Sequence, residues 1–478
     1  MQDATHSSLL RSARQQLHTQ IADALIAQSP ELMDSQPELF AQHYAEAGLV
    51  EKSVACWGKA GHRSAARSAM AEAAAQFQKG LDQLGRLPDT SARKLHELEF
   101  WSALGAVLLA IKGYAAPEAG QAYAHARKLW EQLGSPSEFL HIPLGQAFYH
   151  VYRSEFDSAL RVAEDLLNGS RQRNDSGGLV LGHNSTGASQ MFAGKFASSR
   201  SHLEEVLVRY DPIFHRSLMH QAVLHIHIPS PVFLGIVLFC LGYPDQALAQ
   251  SNTAIVEARR LAHPPSLAGG LAGNTRLLSL LGAEASLAER ADQLVAVTTE
   301  QGFPFWRAMG IICCGLVKVR NGEVAEGISL LRSGSIAYRA TGATAWTPYH
   351  LALQARAYEL ADQNEDAMML LDEALQIAET TGERGFAAEL NRHKGHLLLR
   401  QGHSEAAEEL YRKALSIAWE QEAKMWELRA AASLARLRRD QGRRAEACDL
   451  LAPVYGWFTE GFDTPDLREA RALLDAST

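Results

Sequence analysis

The sequence predicts an all-α solenoid of about ten helix pairs, and three observations predict it. Gly242, Gly282, Gly322, Gly402 and Gly442 stand on one 40-residue grid, with Asp362 in the remaining slot. Mostly small residues recur seven positions before each grid point (Gly235, Gly315, Ala355, Gly395, Ala435) and five after it (Ala247, Gly327, Ala367, Ala407, Ala447). The chain is 47% apolar, yet it carries no long alternating Val/Ile-rich stretch of the kind a large sheet requires. A fixed period of this size marks a repeat array. Small residues at those offsets let two antiparallel helices cross closely about a tight turn. Arrays of this kind are usually binding surfaces.

Taken in order, residues 1–45 read as a helical lead-in. Residues 46–210 hold repeats in the same register, with turns at Gly48, Met70, about Gly113, Ser154 and Gly194. Residues 211–231 form an irregular insert carrying Pro212, Pro229 and Pro231, a natural place for a bend. Residues 232–456 are the regular 40-residue repeats, where Asn364 and Ser404 suit helix N-caps. Residues 457–478, through Leu467, Ala470 and Leu474, close the stack as a capping helix.

Composition narrows the function classes. With 478 residues the chain exceeds one ordinary core. A net charge of −8 argues against nucleic-acid binding over the whole surface. Met1–His18 is polar and lacks the apolar core of a signal peptide, and Val232–Leu241 is too short to span a bilayer. Five scattered cysteines read as buried small residues in a reducing compartment, so a cytoplasmic location is expected.

Gly395, Gly402, Ala407 and Ala414 match the tetratricopeptide pattern residue by residue, although 40 residues exceed that pattern's usual length. The resemblance implies a right-handed superhelix. A more specific likeness rests on Gln36–Gly48, Glu300–Pro304 and Leu451–Asp463. These segments resemble the C-terminal tetratricopeptide region of bacterial class III adenylate/guanylate cyclase-like proteins that carry an AAA-type signal-transduction ATPase. The lead-in then resembles the end of the ATPase module. The cyclase and nucleotide-binding parts have no counterpart in this chain.

The tetratricopeptide resemblance also says which side chains face a concave groove: those thirteen, ten, six and three residues before each turn. In the last three full repeats they include Tyr349, Arg356, Glu359, Glu389, Arg392, His396, Arg429, Arg436 and Arg439. In the repeat before them they are Met309, Ile312, Leu316 and Val319, so the groove would pass from apolar to basic. A basic end suits an acidic peptide, a carboxylate or a phosphate, because arginine grips such groups bidentately. A solvated arginine-rich helix pair explains the same residues equally well.

Trp306, Trp346, Phe386 and Trp426 form an aromatic ladder with a 40-residue step. It reads either as rings packed between successive repeats or as the wall of a groove for a peptide or small ligand. Gly182–Ser189 lacks the lysine and preceding strand of a phosphate-binding loop. His215, His220, His225 and His227 lack the further ligands a metal site requires. Neither a catalytic residue nor a cofactor is predicted. The expected role is a non-enzymatic module that binds a protein or peptide, with a small-ligand sensor as the alternative.

Overall fold

The computed structural model describes residues 11–211, 224–225 and 228–476. Its α-helices are α1 Arg11–Gln28, α2 Leu32–Ser35, α3 Pro37–Ala47, α4 Val50–Ala66, α5 Met70–Leu84, α6 Ser91–Lys112, α7 Pro117–Gln132 and α8 His141–Tyr152. They continue as α9 Phe156–Arg173, α10 Ser176–Phe192, α11 Phe196–Arg209, α12 Pro229–Cys240, α13 Pro244–Arg260, α14 Pro264–Leu281, α15 Glu284–Gln301 and α16 Pro304–Arg320. The last are α17 Val324–Ala340, α18 Thr347–Leu360, α19 Asn364–Thr381, α20 Ala387–Arg400, α21 Ser404–Glu420, α22 Lys424–Asp440, α23 Arg444–Tyr455 and α24 Pro465–Asp475. Among the described residues there is no strand, and the fold is the predicted all-helical solenoid of tetratricopeptide-like pairs.

Each grid residue ends a helix in the left-handed conformation, with φ of +93° at Gly242, +87° at Gly322 and +88° at Gly402. The same pair of backbone bonds recurs at every grid turn except Gly282, whose N–H donates to the Leu278 carbonyl. At Gly402, its N–H donates to the Leu399 carbonyl and the His403 N–H to the Leu398 carbonyl, at 3.0 and 2.9 Å. This arrangement satisfies the last carbonyls of one helix and reverses the chain for the next. Glycine is favoured there because it lacks the Cβ that makes positive φ costly. Ser154 and Asp362 adopt the same conformation at φ +58°.

Two local expectations are corrected. The turn expected at Met70 lies at Ser68, φ +60°, so fully buried Ala73 rather than exposed Ala75 takes the small-residue position. Asn364 and Ser404 are first helical residues rather than caps. Each helix begins one residue earlier, since the His403 and Gln363 carbonyls already accept from Ala407 and Ala367.

The small residues do what their offsets imply. A Cβ on Gly315 would stand 2.8 Å from the Leu331 nitrogen and 3.0 Å from the Gly327 carbonyl oxygen. Where serine replaces alanine five residues after the turn, its hydroxyl donates across the pair: Ser53 to Ala41 O and Ser199 to Gly187 O, at 2.8 and 2.6 Å. In the capping helix α24, Leu467, Ala470 and Leu473 are buried, while Leu474 is half-buried.

The described chain divides into two compact units. One runs through Lys112 and includes Ala116–Gly145; the other comprises Gly113–Ala115 and everything from Gln146 onward. In the first unit Phe40, Trp57, Phe77 and Phe100 centre the core. Gly61 and Gly80 leave the space that the Phe77 and Phe100 rings occupy.

In the second unit the chain returns onto itself. The Thr344 hydroxyl donates to the Ser154 hydroxyl 190 residues earlier, and Gly385 N–H donates to the Phe192 carbonyl. The Asp245 and Gln246 N–H groups donate to the Glu460 carboxylate. Grid turns from early repeats thus meet the linkers between later repeats, at separations of 190 to 215 residues, about five repeats.

Two glycines with matched backbones measure this contact. Gly402→Ala should cost about 1 kcal/mol, from left-handed backbone strain alone, because nothing lies within 4 Å of its added Cβ. Gly242→Ala should cost roughly 2–4 kcal/mol by adding overpacking to strain, since its Cβ would stand 2.6 Å from the Trp457 ring and 2.9 Å from Lys424. Urea unfolding of both variants checks this, and equal losses would remove the contact from the energetics.

Candidate functional site

The first helices of the last four repeats, α16, α18, α20 and α22, carry the predicted groove residues. Met309, Ile312, Leu316 and Tyr349 do not line an open groove; all are at most 5% exposed. The neighbouring helices α14 and α15 contribute to their cover. Leu316 packs with Leu278, Leu287 and Cys313, and the Tyr349 hydroxyl is hydrogen-bonded to the Ser279 hydroxyl of α14. The apolar end of the expected groove is therefore core.

The basic end is neutralised from within. Arg356 donates to Glu359 at 2.6 Å, and the His396 ring nitrogen lies 2.9 Å from the same carboxylate. Burial raises the Glu359 pKa, but its bonds to His396 and Arg356 outweigh that and hold it down at about 2. Arg392 donates twice to Glu389, at 2.6 and 3.0 Å. Arg429 donates to Glu389, to both Asp466 oxygens and to the Leu280 carbonyl. Burial pushes Glu389 up, yet the Arg392 and Arg429 charges keep it far below the ordinary carboxylate range. Arg436 pairs with Glu469, and Arg439 with Asp440 at 2.8 Å. None of these arginines is an unpaired cation awaiting an acidic partner.

Access nonetheless differs among them. Glu389 is buried, whereas Arg356, His396 and Arg436, each 40 residues from the next, keep 47, 39 and 36% of their side chains exposed. They form a polar strip at one helical position of three successive repeats.

The aromatic ladder sits where the chain returns onto itself. Trp306 packs on Tyr114, Trp346 on Phe192 and Trp426 on Phe239, with centroids 6.0, 5.0 and 5.5 Å apart. Phe386 bridges Tyr349 and Trp426. The three tryptophans are buried and Phe386 is half-buried. Their partners thus come largely from several repeats upstream, not from the adjacent repeat alone.

No family model matches the chain. An uncharacterized protein of Rhizobium meliloti (strain 1021) is 24% identical over 410 residues, covering 84% of this chain and 39% of that protein. The chain thus spans well under half the length of that relative. Among solved structures, a Rap protein complexed with competence and sporulation factor superposes with a TM-score of 0.55 at 12% identity, covering 77% of this chain and 99% of that one. A signal-transduction ATPase with a tetratricopeptide repeat sensor, from Pyrococcus horikoshii, gives 0.40 at 15% identity over 80% of this chain and 55% of that one. The first of these likenesses supports the fold.

Two ladder rings, Trp346 and Phe386, belong to a further feature. With Phe192 and Trp426 they wall a cavity of about 30 Å³ that also touches Glu383. Trp346 adopts φ +68°, a genuine outlier for so bulky a residue. Its backbone N–H donates to Glu383 Oε1 at 2.9 Å, and the Arg276 guanidinium lies 3.8 Å from its ring centroid. Glu383 Oε2 and Trp346 Nε1 are both buried without a hydrogen-bond partner. Burial pushes the Glu383 pKa up to about 8, against the opposing pull of the Trp346 N–H and Arg276.

Sequence reasoning missed Glu383 and Arg276, although the grid held a signal for both. The positions 40 or 80 residues from Glu383, Phe303, Ala343 and Ala423, are all fully buried and apolar. Arg276 is a buried member of the column that continues through Leu316 to Arg356, His396 and Arg436. Among the described residues no group of three or more His, Cys, Asp or Glu could hold a metal, and no helix is long and apolar enough to cross a membrane. His215, His220 and His227 lie outside the described residues, and His225 is buried.

Proposed function

We propose that the chain is a non-catalytic tetratricopeptide-like scaffold of bacterial signalling that binds a protein or peptide along the inner face of its last repeats. One observation carries this reading: the exposed strip Arg356, His396, Arg436, which repeats with the 40-residue period. A periodic strip presents nitrogen-bearing, hydrogen-bonding side chains at regular spacing, which suits an extended partner. The Rap neighbour is in complex with competence and sporulation factor, and the Rhizobium relative is a much longer protein. Both fit a module that works in cis or in trans with other domains, in the cytoplasm.

The test is a pull-down from native bacterial extract with the intact chain and an Arg356→Ala/His396→Ala/Arg436→Ala variant. These positions serve as probes because their side chains are exposed, whereas the ladder tryptophans are buried. A partner captured by the parent and lost with the folded variant is the expected result. A partner retained equally by both would move the site elsewhere.

A second reading is favoured by the cavity at Glu383. In it the chain is a small-ligand sensor that switches a separate ATPase or adenylate cyclase. Buried polar atoms left unpaired beside a cavity cost stability unless something binds them.

A further inference from the structure

We propose that the cavity between Phe192, Trp346, Phe386 and Trp426 receives a small alkylammonium head group, with Glu383 as its counter-ion. The inference rests on the ligand-sensor reading and names its ligand class. Five aromatic rings, these four and Phe196, converge on one cavity whose lining is otherwise almost entirely apolar. Aromatic faces attract cations through the ring quadrupole, and a desolvated ring gains more than an exposed one. Glu383 is the one charged residue in the lining, is 4% exposed, and has an oxygen without a partner. At ~10–15 Å³ for one water, a cavity of about 30 Å³ admits a head group of a few heavy atoms.

The backbone supports a built site. At the position of Trp346 in the other repeats, Trp306 and Trp426 lie inside helices and Phe386 has φ −111°. Only here is the left-handed strain accepted, and Glu383 holds it through the Trp346 N–H. Strain of this kind persists where the surrounding structure over-determines it, and it clusters at ligand clamps.

Proton balance gives the site a signature. In the empty cavity burial keeps the Glu383 carboxyl protonated at neutral pH. When an ammonium enters, the carboxyl gives its proton to solvent and the carboxylate pairs with the cation. Arg276, lying over the Trp346 ring, is the charged group acting on Glu383; it lowers that pKa and, as a like charge, weakens ammonium affinity.

The experiment is calorimetric and thermal-shift titration of the intact chain with ethylammonium chloride, against potassium chloride at matched ionic strength. A melting-temperature rise of a few degrees is expected at saturation. Proton release approaching one per site at pH 7, read from buffers of different ionisation enthalpy, should accompany it. Affinity should rise roughly tenfold per pH unit between pH 6 and 8 by linkage. Glu383→Gln keeps an acceptor for the Trp346 N–H and should abolish both shift and proton release.

An unchanged response in Glu383→Gln, or none in the parent, overturns the proposal. Ethanol and acetamide separate this failure from failure of the sensor reading. If they bind and ethylammonium does not, the cavity is a neutral-ligand site; if no probe binds, both fall. The tripeptides Ala-Lys-Ala and Ala-Gln-Ala identify the source. Tighter binding of the lysine peptide than of ethylammonium means that a peptide delivers the head group, and the reverse means a free amine.

Discussion

Arg429→Ala should lower stability by about 3–5 kcal/mol, as removing one partner of a buried ion pair does. The guanidinium serves Glu389, whose side chain is 1% exposed, together with Asp466 and the Leu280 carbonyl. Alanine would leave two carboxylates and a carbonyl short of donors, and Arg392 is left to compensate Glu389 alone. Asp466 stands at the start of the capping helix α24, so the loss should be felt first at the C-terminal end. Stability in a repeat array is a sum of repeat and nearest-neighbour terms. Hydrogen exchange should therefore quicken in α23 and α24 before the middle repeats respond. Urea unfolding followed by tryptophan fluorescence gives the magnitude. A loss under about 1 kcal/mol would show that the network contributes little net energy, as some buried ion pairs do. A triple Arg429→Met/Glu389→Gln/Asp466→Asn variant should recover part of the loss, because it removes the buried charges together.

The second large effect is the pH profile. Glu383 has a folded pKa raised to about 8 by burial, so the folded state holds a proton that the unfolded chain releases above about 4.5. Its contribution is fully present below pH 4.5 and is lost as pH rises towards 8. The cost grows by ~1.4 kcal/mol per pH unit, up to roughly 3 kcal/mol at pH 7. Glu383→Gln should therefore stabilise the protein near pH 7.5 by as much as ~3 kcal/mol and flatten the alkaline limb.

Histidines act in the opposite direction. Burial and the neighbouring His202 lower His183 to about 4, with the two ring nitrogens 3.0 Å apart. Burial and Arg392 lower His393 to about 3, and burial drives His350 well below its ordinary value. Each takes up a proton more readily when unfolded, so stability falls as pH drops from 6.5 towards 4. The melting temperature should therefore peak near pH 6.5. A profile that climbs steadily from pH 6.5 to 8 would contradict the buried state of Glu383.

How much of this was legible depends on the range of the interaction. The grid was readable because each tight turn is local: five or six consecutive residues fix the left-handed residue and both of its backbone bonds. Ser68 was misplaced by two residues for the same reason, since serine gives a weaker turn signal than glycine. The caps assigned to Asn364 and Ser404 came from propensity, which cannot see that the preceding carbonyl already accepts a helical bond.

The groove was legible as a column and illegible as a surface. Period alone placed Leu316, Arg356, His396 and Arg436 on equivalent helical positions, and the structure keeps that column. Whether a member is exposed depends on what packs against it in space, which for Leu316 and Tyr349 is the pair of neighbouring helices α14 and α15. Leu316 and Tyr349 are covered, Arg356 and His396 are half open, and Arg429 is committed to Asp466.

What the sequence determined by itself was the repeat: its length, its turns and the close crossing of each helix pair, all set by short-range sterics and backbone hydrogen bonding. Only the tertiary structure decided how tightly the repeats wind. That winding buries the aromatic ladder against upstream rings, pairs the arginines internally and isolates Glu383 beside a strained Trp346. The physical reason is accumulation. Small rotations between successive repeats add up over about five of them, and the contacts made when the chain returns are too distant in sequence for any local pattern to encode.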